Sequence, residues 1–308
     1  MRLNILNPAD APYYIPLTFQ MHRRYLLNCD RENIIAAGAS DETGEPYGLA
    51  LALNPFGPNG KKNDFWYLTS FFVRKESRRR GIGRELWKAL KKELELRGCR
   101  KICFQTVLRE ERLEEVVPFF KAIGFEEPRI IAKIFAYDNK TIERSPFIRG
   151  TLANAFQPDP RFRFVSFDRL TREQQMELET NDGGWYPPFV SPLIGKEQMN
   201  EKCTTFAVDN ENEKIAGWIT ALDVNDNTRI LYRSFFTREE YRDTPVGFLI
   251  FTEAVRNHLE HYRDRGGLAS IPTDNDRAMR FSTLFFRDAF DHISYEIESS
   301  YCFDGTTD

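Results

Sequence analysis

Phe65-Trp66-Tyr67-Leu68-Thr69-Ser70-Phe71-Phe72-Val73, followed a few residues later by Arg78-Arg79-Arg80-Gly81-Ile82-Gly83, is the stretch on which the fold turns. The nine mostly apolar residues predict a strand, and the apolar groups at both parities predict that it is covered on both sides. Two glycines follow, and then Ile82, Leu86, Leu90 and Leu94 recur at helical spacing until Gly98 marks a stop. A strand that passes into a helix through a glycine-containing loop leaves backbone N–H groups unpaired at the positive end of the helix dipole. Such a turn is an anion cradle. Between residues 74 and 84 six cations (Arg74, Lys75, Arg78, Arg79, Arg80, Arg84) stand against one carboxylate, Glu76, so the expected guest is phosphorylated.

The chain's 308 residues allow about two domains. A content of 41% hydrophobic and 29% charged residues suits packed cores with a soluble surface. The net charge of -3 argues against general nucleic-acid affinity, so the basic run serves one ligand. Neither a signal-peptide pattern nor a bilayer-length apolar run is found, which predicts a cytoplasmic protein without membrane contact. The five cysteines (29, 99, 103, 203, 302) have no metal or redox spacing and read as buried or free thiols. His22, His258, His261 and His292 likewise form no ligand pattern, and no metal is expected.

In chain order, a strand at Leu3 to Ile5 and a helical region to about Leu27 precede a hairpin of Ile34 to Ala37 and Tyr47 to Leu53. A polar, flexible loop over 54–63 leads into the quoted strand. After the helix come a strand from Lys101 to Val107, a charged segment from Arg109 to Glu115, a short helix over 116–123 stopped by Gly124, and a strand from Arg129 to Tyr137. Residues 138–161 lack a period and hold Pro146, Pro158 and Pro160, as a domain boundary does. From Phe162 the same order restarts, with capping-box spacing at Thr171 to Gln174, an aromatic-proline loop Trp185-Tyr186-Pro187-Pro188, and a second hairpin, Thr204 to Val208 with Ile215 to Leu222. Ser234-Phe235-Phe236-Thr237-Arg238-Glu239-Glu240-Tyr241-Arg242 then matches Ser70-Phe71-Phe72-Val73-Arg74-Lys75-Glu76-Ser77-Arg78 at six positions, with a shift of 234 − 70 = 164. The chain holds two copies of one fold.

These residues resemble the GNAT superfamily of acyl-CoA-dependent N-acetyltransferases. That family's signature, Arg or Gln, two residues, Gly, one residue, then Gly or Ala, lies between a central strand and a helix, and here it reads Arg78-x-x-Gly81-x-Gly83. Phe119-Phe120-Lys121-Ala122-Ile123-Gly124-Phe125 is similar to the family's later segment ending in Gly-Phe. The resemblance spans most of 1–140 and, more weakly, 160–303; two-domain members, such as those resembling mycothiol synthase, are known. Rival phosphate motifs fit worse, because a dinucleotide fingerprint needs a third glycine and a P-loop needs Lys-Ser or Lys-Thr.

The resemblance implies an α/β (α+β) chain of two tandem GNAT-like domains, each a mixed, mostly antiparallel central sheet flanked by helices. Residues 1–145 are the expected acyl-CoA-binding domain, 146–160 a linker, and 161–308 a degenerate second domain that shapes the acceptor cleft. In the second copy Pro245 stands opposite Gly81, and Asp243 brings a carboxylate to the expected phosphates. Acetyl-CoA is the implied co-substrate. Backbone amides of Arg79, Arg80, Gly81, Ile82 and Gly83, with Arg78 and Arg84, are to hold its pyrophosphate, and Phe71, Phe72 and Val73 are to pair with its pantetheine. Phe120 lies where family members often carry a tyrosine acid, so that role is vacant or moved, and Phe120 is counted with the residues expected to bind acetyl-CoA. Tyr67 falls where many carry a carboxylate base; it either orients the amine and relays its proton or is packing. Thr69 and Gln105 are candidates for the acceptor site, with satisfied buried polar groups as the alternative. The implied reaction is direct acetyl transfer to a primary amine of a small molecule or peptide, by a monomer or homodimer. The alternatives are a non-catalytic acyl-CoA sensor or interaction protein, or an enzyme using another acyl donor.

Overall fold

A computed structural model describes residues 1–55, 65–146, 149–150, 159–224, 228–285 and 290–303. Most of the loop over 54–63 and of the linker over 146–160 lies outside these residues. The chain divides into two compact units, 1–131 with 296–308, and 132–295.

In the first unit, β1 (Arg2–Ile5), β2 (Ile34–Ser40), β3 (Pro46–Leu53), β4 (Phe65–Val73) and β5 (Lys101–Arg109) lie side by side in that order. Pairing is antiparallel except between β4 and β5, which are parallel. The helical region expected before Leu27 is broken into short pieces, among them α1 (Ala11–Tyr14) and α2 (Arg23–Leu26), because Pro12 and Pro16 deny the segment continuous i→i−4 bonding. The amphipathic helix is α3 (Ile82–Leu96), and Ile82, Leu86, Leu90 and Leu94 are all buried, as their spacing predicts. Gly98 follows in the left-handed conformation (φ 70°), where a Cβ is unfavourable. Burying each of these leucines stabilises the unit by about 1.5–3 kcal/mol relative to exposure.

Two expectations need correction. The short helix expected over 116–123 starts earlier, since α4 (Glu110–Ala122) takes in most of the charged segment and carries Pro118 inside it. Glu110 and Glu111 in the first turn complement the helix dipole, and hydrophobic periodicity alone does not register that contribution. Second, β4 is not covered on both sides. Trp66, Leu68 and Ser70 are buried, whereas Tyr67 and Phe72 are exposed.

The unit is completed from the far end of the sequence. Residues 296–302 of β12 (His292–Cys302) lie beside β5, Phe303 N–H donates to the Arg100 carbonyl (2.9 Å), and Glu126 N–H donates to the Ser300 carbonyl (2.9 Å). Tyr301 packs edge-on against Trp87 (5.1 Å) and accepts from Lys91 Nζ.

The second unit repeats the plan. Its strands run in the order β6 (Arg129–Tyr137), β11 (Gly266–Pro272), β10 (Arg229–Thr237), β9 (Ile215–Val224), β8 (Thr205–Asp209), β7 (Phe162–Val165). Here β10 and β11 are the parallel pair. Its helices are α5 (Asn139–Arg144), α6 (Arg172–Thr180), α7 (Val246–His261) and α8 (Asp276–Phe285). The capping box at α6 is present as its spacing predicts: Gln174 N–H donates to Thr171 Oγ1 (3.2 Å), and Thr171 N–H to Gln174 Oε1 (2.9 Å). The units therefore divide at 131/132 and 295/296, whereas sequence reading divides the chain at 146–160. Each unit takes its last strand from the other half of the sequence, an exchange with no local signal.

The aromatic-proline loop is packed. Trp185 and Tyr186 meet Trp218 edge-on (5.5 and 5.2 Å), and the Tyr186 hydroxyl donates to the Leu178 carbonyl. His258 is a buried, fully satisfied histidine. Its Nε2 faces two acceptors, Asn139 Oδ1 (2.9 Å) and the Arg265 carbonyl (3.1 Å), so Nε2 carries the proton and Tyr232 donates to Nδ1 (2.9 Å). Burial pushes its pKa below the ordinary value.

Candidate active site

The site is built on the parting of β4 from β5. The two strands pair only from Phe65 opposite Lys101 to Tyr67 opposite Cys103, although β4 continues to Val73 and β5 to Arg109. At Thr69 the register of β4 against β3 slips between Leu51 and Ala52, a bulge that bends β4 away from its parallel neighbour. The β4 edge beyond Tyr67, with Phe71, Phe72 and Val73, thus has backbone groups turned toward a wedge and not toward β5. The same slip occurs in β10 at Arg233, which is 233 − 69 = 164 residues later, so the bulge shares the repeat register.

At the end of β4 the loop closes on itself. Arg78 Nε donates to the Val73 carbonyl (3.0 Å), and its Nη1 lies 3.5 Å from Glu115 Oε2. Arg78 is thereby turned back onto the strand, as a brace for the loop. Arg74 is paired with Glu45 (2.7 Å). Arg79, Arg80 and Arg84 are exposed and, among the described residues, have no ion-pair partner. They provide the net positive charge expected of the cradle.

Arg79 (φ 63°) and Gly81 (φ 79°) are both left-handed, and Gly81 is the N-cap of α3. Left-handed backbone costs a residue with a Cβ about 1 kcal/mol or more, which explains glycine at 81 and makes Arg79 a strained position. Gly83 is glycine for another reason, since an added Cβ would come within 3.0 Å of the Phe119 ring. That ring also packs on Phe71 (centroids 5.3 Å apart). Phe120 is buried, stacked on Phe104 at 4.0 Å and touching Phe125, so it belongs to the aromatic core of the unit more than to an open groove.

Tyr67 is 42% exposed and meets the Phe65 ring edge-on. Thr69 donates to the Leu51 carbonyl (3.2 Å), which satisfies it at the bulge. Gln105 Nε2 donates to Glu296 Oε1 (2.8 Å). Because Tyr67 sits opposite Cys103, and Cys103 and Gln105 share a parity on β5, Glu296 brings a carboxylate to the face that carries Tyr67. No reading of local sequence finds it, since it arrives 191 residues after Gln105 on β12.

In the second unit, α7 starts from Pro245 as N-cap with φ −72°, without a left-handed glycine or the N–H of its counterpart Gly81. The Val246 N–H is taken by Thr244 Oγ1 (3.4 Å). Among the described residues no group of three His, Cys, Asp or Glu side chains is placed to hold a metal ion, and no helix is long and apolar enough to cross a membrane.

In the first unit, then, a central strand parts from its parallel partner beside a glycine-led, arginine-rich helix start. Residues 4–125 match the family described as acetyltransferase (GNAT). A tandem GNAT protein from the clavulanic acid biosynthesis pathway has a similar structure (TM-score 0.67, 13% identity, covering 100% of this chain and 99% of that one). So does a GCN5-related N-acetyltransferase from Sphaerobacter thermophilus (TM-score 0.56, 15% identity, 96% and 94% covered). A third is the GCN5-related glucosamine N-acetyltransferase region of a fungal multi-domain β-N-acetylglucosaminidase (TM-score 0.58, 12% identity, 97% of this chain and 38% of that one). At these identities the likeness is one of fold. No curated protein sequence matches the chain.

Proposed function

We propose that the protein is an N-acetyltransferase that moves an acetyl group from acetyl-CoA to a primary amine in the first unit. The observation that carries this reading is the pairing of an opened β4 edge with a helix start at left-handed Gly81, where Arg79, Arg80 and Arg84 leave the positive charge uncompensated among the described residues. The edge suits amide groups of an extended pantetheine, and the helix start suits its diphosphate.

In the reaction the amine nitrogen bonds to the thioester carbon and the C–S bond breaks. One proton leaves the nitrogen, and one is taken up by the departing thiolate. The neutral amine must be delivered, and its proton accepted, near the reacting carbon. Tyr67, a phenol on the open face of β4, orients the amine and relays that proton. Glu296, held by Gln105 on the same face, is the carboxylate toward which the proton passes. Phe120 provides no acid, so the thiolate takes its proton from solvent.

Calorimetry with acetyl-CoA on the wild type and on Gly81→Pro tests the cradle, because proline cannot adopt the positive φ found there. Undiminished binding by Gly81→Pro would remove the helix start from the site. A second reading, an acyl-CoA sensor without turnover, is favoured by the burial of Phe120 in the place of the usual acid. Thiol release over a panel of amines separates the two, since a sensor binds acetyl-CoA and releases no thiol with any of them.

A further inference from the structure

The second unit encloses a cavity of about 670 Å³, and every residue lining it belongs to that unit. This volume lies within the range of about 300–1,000 Å³ typical of small-molecule sites. It occupies the wedge between β10 and β11, which pair only from Arg229 opposite Gly266 to Tyr232 opposite Ala269 before β10 runs on to Thr237. Its lining includes Phe235 from β10, Phe248 and Phe251 from α7, and Phe135, Tyr137 and Phe290. The interior is therefore strongly apolar.

Its charged groups have one sign. Arg233, at the bulge, and Arg242 line the cavity, and no aspartate or glutamate among the described residues does. Arg242 Nη1 is 3.8 Å from Glu239 Oε1. Arg233 is half-buried and donates from Nη1 to the Phe189 carbonyl (3.2 Å), a neutral acceptor that uses one of five donors and offsets none of its charge. A guanidinium beside apolar walls favours a carboxylate, which it can bind by two parallel hydrogen bonds, and repels an ammonium group.

The diphosphate of a coenzyme A thioester is poorly served here. Pro245 lacks the N–H, Thr244 occupies that of Val246, and Asp243 puts a carboxylate in the loop. What remains is a deep apolar slot with a guanidinium beside it. We propose that the second unit is a binding site for a free carboxylic acid with an apolar body of medium chain length, which enters hydrocarbon first among the phenylalanines and leaves its carboxylate on Arg233.

The test is titration calorimetry on the full chain with octanoate, decanoate and dodecanoate, alongside dodecylamine and coenzyme A, each below its aggregation limit. One acid binds per chain, with affinity rising about fourfold per methylene along the series. Arg233→Gln weakens dodecanoate about tenfold, a loss in the range of one charged hydrogen-bonding partner. Ala278→Phe, which fills the cavity from α8, abolishes binding. Melting curves within a few degrees of wild type, and unchanged acetyl-CoA binding in the first unit, confirm that both variants are folded. Equal binding of dodecylamine, displacement of dodecanoate by coenzyme A, or dodecanoate binding unaltered by both substitutions would overturn the assignment.

Discussion

At the scale of single residues the site depends on side chains whose partners are far away in sequence. If Tyr67 relays the proton, Tyr67→Phe lowers kcat about 100-fold, within the usual range for general acid–base groups, and leaves KM for acetyl-CoA unchanged. A steady-state kcat within twofold of wild type would leave it as packing. Glu296→Gln is expected to lower kcat in the same direction, while Gln105→Ala, which frees the carboxylate, has a smaller effect. His258 predicts a pH effect on stability rather than on chemistry. Its pKa is depressed in the folded state, so the unfolded chain binds the extra proton as pH falls below its ordinary value of about 6.5. Stability is thus fully present above that value and declines below it, by at most about 1.4 kcal/mol per pH unit for one proton. Chemical denaturation between pH 7.5 and 5 measures the slope, and His258→Gln should remove this contribution; an identical slope in the variant would mean that other groups carry it.

At the scale of elements, the two glycines of the signature are required for different reasons, and substitution separates them. Gly81→Ala meets no atom within 4 Å, so its cost is backbone alone, about 1–2 kcal/mol at φ 79°. Thermal melts should show a fall of a few degrees, and calorimetry a loss of up to about tenfold in acetyl-CoA affinity as the helix start relaxes. Gly83→Ala drives a methyl into the Phe119 ring, and Phe119→Leu should partly relieve it in a double-mutant cycle. Additive melting shifts in that cycle would show that the two positions are uncoupled. The strand, the helix and the repeat were legible because the strand is a mostly apolar run, the apolar residues of the helix recur every four positions, and six residues return in the same register. Both the glycine-containing loop before α3 and the capping box at Thr171 could be read from residue type. The start of α4 was not legible, because Glu110 to Glu115 contributes charge to a helix dipole and no apolar stripe.

At the scale of the whole molecule, the exchanged strands have a practical consequence. A fragment of residues 1–145 keeps β1 to β5 yet lacks 296–302, so it bares the β5 edge and leaves Trp87 and Phe125 without Tyr301. We expect that fragment to melt well below the full chain and to aggregate, as measured by circular dichroism and light scattering. Fusing residues 290–303 to it through a flexible linker should restore much of the loss. A fragment as stable as the full chain would mean that β12 is dispensable to the first unit.

By itself the sequence determined that there are two copies of a strand, loop and helix unit, that the first joins strand to helix through a glycine-containing loop rich in arginine, and that the second has Pro245 opposite Gly81 and an aspartate at 243. These properties lie in residue type and short-range spacing, which local sterics and helix geometry translate directly. Tertiary structure alone decided which strand closes each unit, that Phe120 is buried, that Glu296 meets Gln105, and that the degenerate copy holds an apolar cavity lined by two arginines. Each of these depends on contacts between segments more than 15 residues apart, or on how far two strands diverge, and the periodicity of a chain carries no record of either.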